Sequence, residues 1–243
     1  MDKMPSISHQ DQAVAQAGSS DFLPLVITLE DENWGCVAGI DSARAWMRPS
    51  PVPARWAGDP AGPFRYRVWS KLSVLPHPTS NRPEDRLIAE APMPVRAVDT
   101  FEYRNLLTAI ADPDVDTVFA GNRSVGLVRA RIESIYARRH TRGRTLLRVV
   151  YDDATGERFD WVVPEVATCR ALAPHIHDSV LDAHFAEAWL NEIKSSELFL
   201  AIGLTLPKQG SSSRFGGCQP LVVGFHRLEP SPDSAAEGAG VRT

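Results

Sequence analysis

Arginine is the side chain best suited to holding phosphate, because its planar guanidinium offers several fixed donors and keeps its charge at any physiological pH. Between residues 121 and 148 this chain places Arg123, Arg129, Arg131, Arg138, Arg139, Arg142, Arg144 and Arg148 against one acid, Glu133. Tyr136 stands inside that run, and Tyr151 and Trp161 lie just beyond it. Cations interleaved with an aromatic ring suit a single-stranded nucleic acid, whose phosphates follow the cations and whose bases stack on rings at roughly 1–3 kcal/mol each. Arg129, Arg131, Tyr136, Arg138, Arg139, Arg142, Arg144 and Arg148 are therefore the candidate nucleic-acid-binding residues. The competing reading is a solvated edge, or ion pairing with acids elsewhere in the chain such as Glu30, Asp31, Glu32, Asp112, Asp114 and Asp116.

Other reactive side chains point less clearly to chemistry. Cys36, with His77 and Asp41 elsewhere, has the makings of a thiolate and its base. It lies between Gly35 and Val37 at the start of an apolar run, with no helix start or basic neighbour to lower its pKa, which reads as a packed thiol. His175 and His177, with Cys169 and Cys218 apart from them, lack the C-x2-C or H-x3-H spacing of a zinc site. Glu84 and Asp85 sit among prolines with no second carboxylate pair to share acid–base work. There is no Gly-rich phosphate loop, no G-x-S-x-G and no H-E-x-x-H. The sequence thus predicts no catalytic residue, no metal and no cofactor, and leaves Trp46 and Arg48 as a possible groove, one ring walling a barrel and one guanidinium beside it.

These residues must be positioned by strands. Residues 25–29, 36–40 and 46–48 form short apolar runs with polar breaks, a meander. Residues 64–75 alternate as one long strand, and the proline-rich stretch 76–94 reads as an irregular loop. Tyr103, Leu106, Leu107 and Ile110 share one helical face over residues 99–111. Val128, Ala130 and Ile132 then alternate with Arg129, Arg131 and Glu133, which predicts a half-exposed strand. Residues 146–151 and 159–163 follow as a second meander, residues 178–194 as a helix, and residues 198–204 and 221–225 as closing strands. The fold class is mainly β with a few helices, arranged as two small β-barrels in tandem, each with a helix.

The chain has 243 residues, 43% of them apolar, enough for two small cores. A polar leader over 1–21 and a Pro/Ser/Ala/Gly-rich tail over 229–243 read as disordered, which leaves domains at 22–122 and 123–228. No apolar window approaches the roughly 18 residues of a membrane helix, and no secretory signal opens the chain, so a cytoplasmic location is expected. Three cysteines make no disulfide framework. The net charge of −4 argues against indiscriminate nucleic-acid binding and confines any such contact to a local patch.

The order of motifs resembles the dual OB domain family, bacterial proteins with two OB-like barrels. Its "C-x-A-G-I-D" and "W-x-R-P" elements correspond to Cys36, Ala38, Gly39, Ile40, Asp41 and to Trp46, Arg48, Pro49; its "P-E-D" tripeptide corresponds to Pro83, Glu84 and Asp85. The late strand, residues 198–204, departs from the family pattern by lacking a cysteine. The resemblance implies two OB-like barrels and a place in a bacterial defence or conflict system. The expected function is a non-enzymatic module that binds nucleic acid or nucleotides, with single strands favoured. The alternative is an adaptor that holds a protein effector, to which an exposed Phe215 would contribute.

Overall fold

The computed structural model describes residues 17–80, 82–208 and 213–229. Most of the expected leader, and all of the tail after residue 229, fall outside that range. The chain divides into two compact units, Met1–Asp99 and Thr100–Thr243.

The first unit is built on β1 (Gly18–Leu29), β2 (Trp34–Asp41), β3 (Trp46–Ser50), the two-residue β4 (Val52–Pro53), helix α1 (Ala54–Gly58), β5 (Val68–Pro76) and β6 (Asp85–Ala97). β1 enters at Gly18, so residues 18–21 pair with β5 instead of belonging to a leader. Its run from Phe22 to Ile27 is buried on both faces, which is why it shows no alternation. Between β1 and β2, Asp31 Oδ1 accepts from the backbone N–H groups of Asn33 (2.7 Å) and Trp34 (2.9 Å), turning the acidic triplet into a tight connection. The strands run β1-β5-β6-β3-β2, and β2 returns to β1, closing a five-stranded barrel. β3 and β6 are parallel, and the other neighbours are antiparallel.

Two expectations for this half are corrected. The long strand begins at Val68, not at residue 64, because Arg67 takes a left-handed backbone (φ 59°) that breaks the pleat. Phe64 is nevertheless buried, edge-on to Phe22 at 5.7 Å. The stretch expected as a proline-rich loop is largely β6. Its pairing with β5 is bulged, and its pairing with β3 ends at Leu87, so Pro92 and Pro94 lie where missing N–H donors break little of the ladder.

The second unit opens with α2 (Thr100–Ile110) and α3 (Val115–Val118), and α2 is fastened to its barrel by Tyr103, whose hydroxyl lies 2.7 Å from His226 Nδ1 with both side chains buried. Then come β7 (Val125–Arg139), β8 (Thr145–Asp153), β9 (Arg158–Val162), α4 (Val166–Leu172), the two-residue strands β10 (Ile176–His177) and β11 (Val180–Leu181), α5 (Ala183–Lys194), β12 (Glu197–Leu204) and β13 (Pro220–Leu228). β12-β13-β9-β8-β7 form a closed barrel. Again the third and fifth barrel strands, β9 and β13, are the parallel neighbours. Both units therefore share one connectivity, consistent with two five-stranded barrels of the OB kind.

The helix expected over 178–194 starts only at Ala183, where Asp182 Oδ1 accepts from Phe185 N–H at 2.8 Å. Ahead of it, Asp178 and Ser179 take left-handed backbones and turn β10 into β11. Phe215, expected as an exposed tip, packs against Phe119 (5.0 Å between ring centres) and Trp161 (6.1 Å), with Arg214 stacked over it. Rings paired in this way add about 0.5–1.5 kcal/mol beyond their burial, so this residue belongs to the core rim.

Candidate nucleic-acid interface

β7, β8 and β9 lie side by side, and alternation sends Ile132, Ile135, Leu147, Val149, Tyr151, Phe159 and Trp161 into the core. The opposite face carries the charged residues, in an order set by the ladder. Arg131 faces Asp152, Tyr136 faces Arg148 and Arg138 faces Leu146 across β7 and β8. Asp160 and Arg158 extend the same face on β9.

The barrel portion of this face is neutralised from within. Arg131 donates to Asp152 Oδ2 at 2.8 Å and lies 3.2 Å from Glu133, while Arg158 Nε donates to Asp152 Oδ1 at 2.7 Å. The hydrogen bonds from Arg158 and Arg131 hold the Asp152 carboxyl down to about 2. Arg148 Nε donates to Asp160 Oδ1 (2.9 Å) and to the Tyr136 hydroxyl (3.1 Å), which donates in turn to Asp160 Oδ2 (2.7 Å). Burial, followed by the bond to Asp160, holds the Tyr136 phenol above its ordinary range. Arg129 sits 3.2 Å from Glu197, with its guanidinium over the Phe199 ring.

The hairpin tip is different. His140 N–H donates to Arg144 O at 2.7 Å, and Gly143 N–H donates to His140 O at 2.8 Å. Gly143 has φ +83° with open space around it, so glycine is there for its backbone and not for a close contact. This turn carries Arg138, Arg139, Arg142 and Arg144, all exposed, and among the described residues none of the four has a carboxylate partner. The β10–β11 hairpin stands beside it, with Ser179 Oγ 2.8 Å from Thr145 Oγ1.

The eight candidates thus split. Arg138, Arg139, Arg142 and Arg144 come together at one tip; Tyr136 lies just below them; Arg129, Arg131 and Arg148 are engaged with acids. Sequence reading missed Asp152, Arg158 and Asp160, although the exposed alternation of Arg158 and Asp160 along β9 was a usable signal. It also missed the neighbouring hairpin, whose turn and second strand it assigned to a helix. In the first unit, Arg48 Nε donates to Asp85 Oδ1 at 2.7 Å across the parallel β3–β6 pair, joining the W-x-R-P and P-E-D elements. Trp46 is half-buried at the start of β3.

The other reactive groups are quiet. Burial pushes the Cys36 and Cys169 thiols up to about 11, so both stay protonated and un-nucleophilic at neutral pH. The His175 ring stacks on Phe185 at 3.4 Å. Among the described residues, no three of His, Cys, Asp and Glu group so as to hold a metal ion, and no helix is long and apolar enough to cross a membrane.

Fold and face together describe a protein of two tandem OB-like barrels with one cationic hairpin. Comparison with protein-family models and with curated proteins finds no match to this chain.

Proposed function

We propose that this chain is a non-enzymatic, cytoplasmic binding module whose second barrel contacts nucleic acid, single-stranded or nucleotide-like, through the β7–β8 hairpin. The observation that carries this reading is the tip itself: four exposed arginines without acidic partners among the described residues, two at the end of β7 and two on the loop that joins it to β8, the first two strands of an OB-like barrel. That loop and the adjoining strands are where such barrels take oligonucleotides. Tyr136, fixed by Arg148 and Asp160, offers a ring at the edge of the patch. A role in a bacterial defence or conflict system belongs to the same reading and rests on the sequence resemblance alone.

Fluorescence anisotropy with single- and double-stranded DNA and RNA tests it. Binding should weaken steeply with salt, as phosphate contacts require. Reversing Arg138 and Arg139 together to Glu should abolish it without unfolding the chain, since both side chains are exposed. Absent or salt-insensitive binding to every nucleic acid tried overturns the reading.

One observation favours an adaptor as the second reading. Met93 and Val95 on β6 are 64% and 58% exposed, on a strand whose outer edge beyond Leu87 has no partner strand among the described residues. Exposed apolar side chains at an open edge suit protein contact. Co-purification of a stoichiometric protein that survives nuclease treatment distinguishes this reading from the first.

A further inference from the structure

We infer, resting on that nucleic-acid reading, that the site is short: it takes a strand end or a segment of about four phosphates and does not track a long strand across the barrel. The reasoning is a comparison of charges between the hairpin tip and the barrel face below it. The tip holds Arg138, Arg139, Arg142 and Arg144 with no acid among them. On the barrel face below, Arg131, Arg148 and Arg158 are matched by Glu133, Asp152 and Asp160. The cationic field therefore ends between the row of Arg138 and the row of Tyr136 and Arg148.

Two consequences follow for a strand laid from the tip towards β9. Its next phosphate meets Asp160, whose side chain is 46% exposed, and the one after approaches Asp152 and Glu133. Each such step sets anion against anion, and the arginines beside them release no counterions because their charges are already matched. The ion pairs are also hydrogen-bonded. Arg148 has three partners, the Asp160 carboxylate, the Asp160 backbone oxygen (2.6 Å) and the Tyr136 hydroxyl, so swinging it towards a phosphate would cost all three. The same bonds hold Tyr136 still, which makes its ring a preorganised stop for one base at the inner end of the patch.

Four matched phosphates set a numerical expectation. For single strands the slope of log affinity against log salt should be about −3, at roughly −0.7 per phosphate. Affinity should stop rising once the oligonucleotide spans the tip.

The test uses the full chain and labelled oligothymidylates and oligouridylates of about 3, 5, 10 and 20 nucleotides, titrated between about 50 and 200 mM salt. The inference holds if affinity, corrected for the number of registers, levels off by about the 5-mer with a slope near −3. It is overturned if affinity keeps climbing to the 20-mer or the slope exceeds about −5, even though binding itself is present. Absence of binding at every length removes the functional reading as well, so the two failures are distinguishable. Asp160→Asn keeps the size and shape of the side chain and removes the negative charge, giving up one of the two acceptor oxygens that meet Arg148 and Tyr136; it should steepen the slope by about 0.7 and tighten the 10-mer a few-fold. An unchanged slope in D160N also overturns the restricting role given to the acids.

Discussion

Asp152 decides how two arginines behave. Its carboxylate is nearly buried, accepts from Arg158 and Arg131, and is held down to about 2 by those bonds, against an ordinary value of about 3.9. A carboxyl depressed on folding contributes stability in full above its unfolded value and loses it as the pH falls towards its folded value. Thermal melts between about pH 5 and pH 2 should therefore show the native chain losing stability progressively over that window. Asp152→Asn should be less stable at neutral pH and should show a flatter dependence in the same window. Equal acid slopes in the two proteins would count against this assignment. The arginine run was visible in the sequence, but its division into engaged and open members was not. Arg131 meets Asp152 from 21 residues away, in a register that depends on the bulge between Ile132 and Ser134. A count of charges along the chain cannot place that bulge.

At the scale of elements, the C-x-A-G-I-D segment is explained by strand spacing. A Cβ on Gly39 would lie 2.0 Å from Leu23 O, at the bulge where β1 shifts register against β2, so only glycine lets the two backbones approach. Gly39→Ala should destabilise the first barrel by about 3 kcal/mol, read as a lowered midpoint in denaturant melts, while leaving nucleic-acid binding by native protein unchanged. At the end of the segment Asp41 Oδ1 accepts from Ala45 N–H at 2.9 Å, which fixes the turn from β2 into β3. Strands with one wet face, such as β7, were legible from their alternation. The long apolar runs of β1 and β12 were legible as strands because they are short and bounded by turn residues. Two elements were misread for definite reasons. β6 holds prolines that ordinarily exclude a strand, and they survive where its ladder is bulged or open. The β10–β11 hairpin depends on left-handed Asp178 and Ser179, and its Val180 and Leu181 happen to continue the helical spacing of α5.

For the whole molecule, each compact unit owns a closed barrel and a core. Tyr151, Trp161, Leu200 and Ile202 in the second unit share one cluster that draws on α3, α4, α5 and all five barrel strands. A fragment covering residues 100–243 should therefore fold cooperatively, give a single sharp thermal transition and bind oligonucleotides with the salt slope of the full chain. A fragment that aggregates or binds with a shallower slope would place part of the determinants elsewhere. The shared connectivity also has a consequence for biosynthesis. Each barrel is sealed by a parallel pairing of its third strand with its last, Arg48 beside Asp85 and Val162 beside Leu221. Such a seal cannot form from neighbouring segments; it waits for the last strand to leave the ribosome. The first barrel can close while the second is still being made. The arginine hairpin, a local pairing, can form early, yet its barrel stays unsealed until β13 emerges, so a nascent chain carries its cationic tip on an open sheet for about half of the time the second unit takes to be translated.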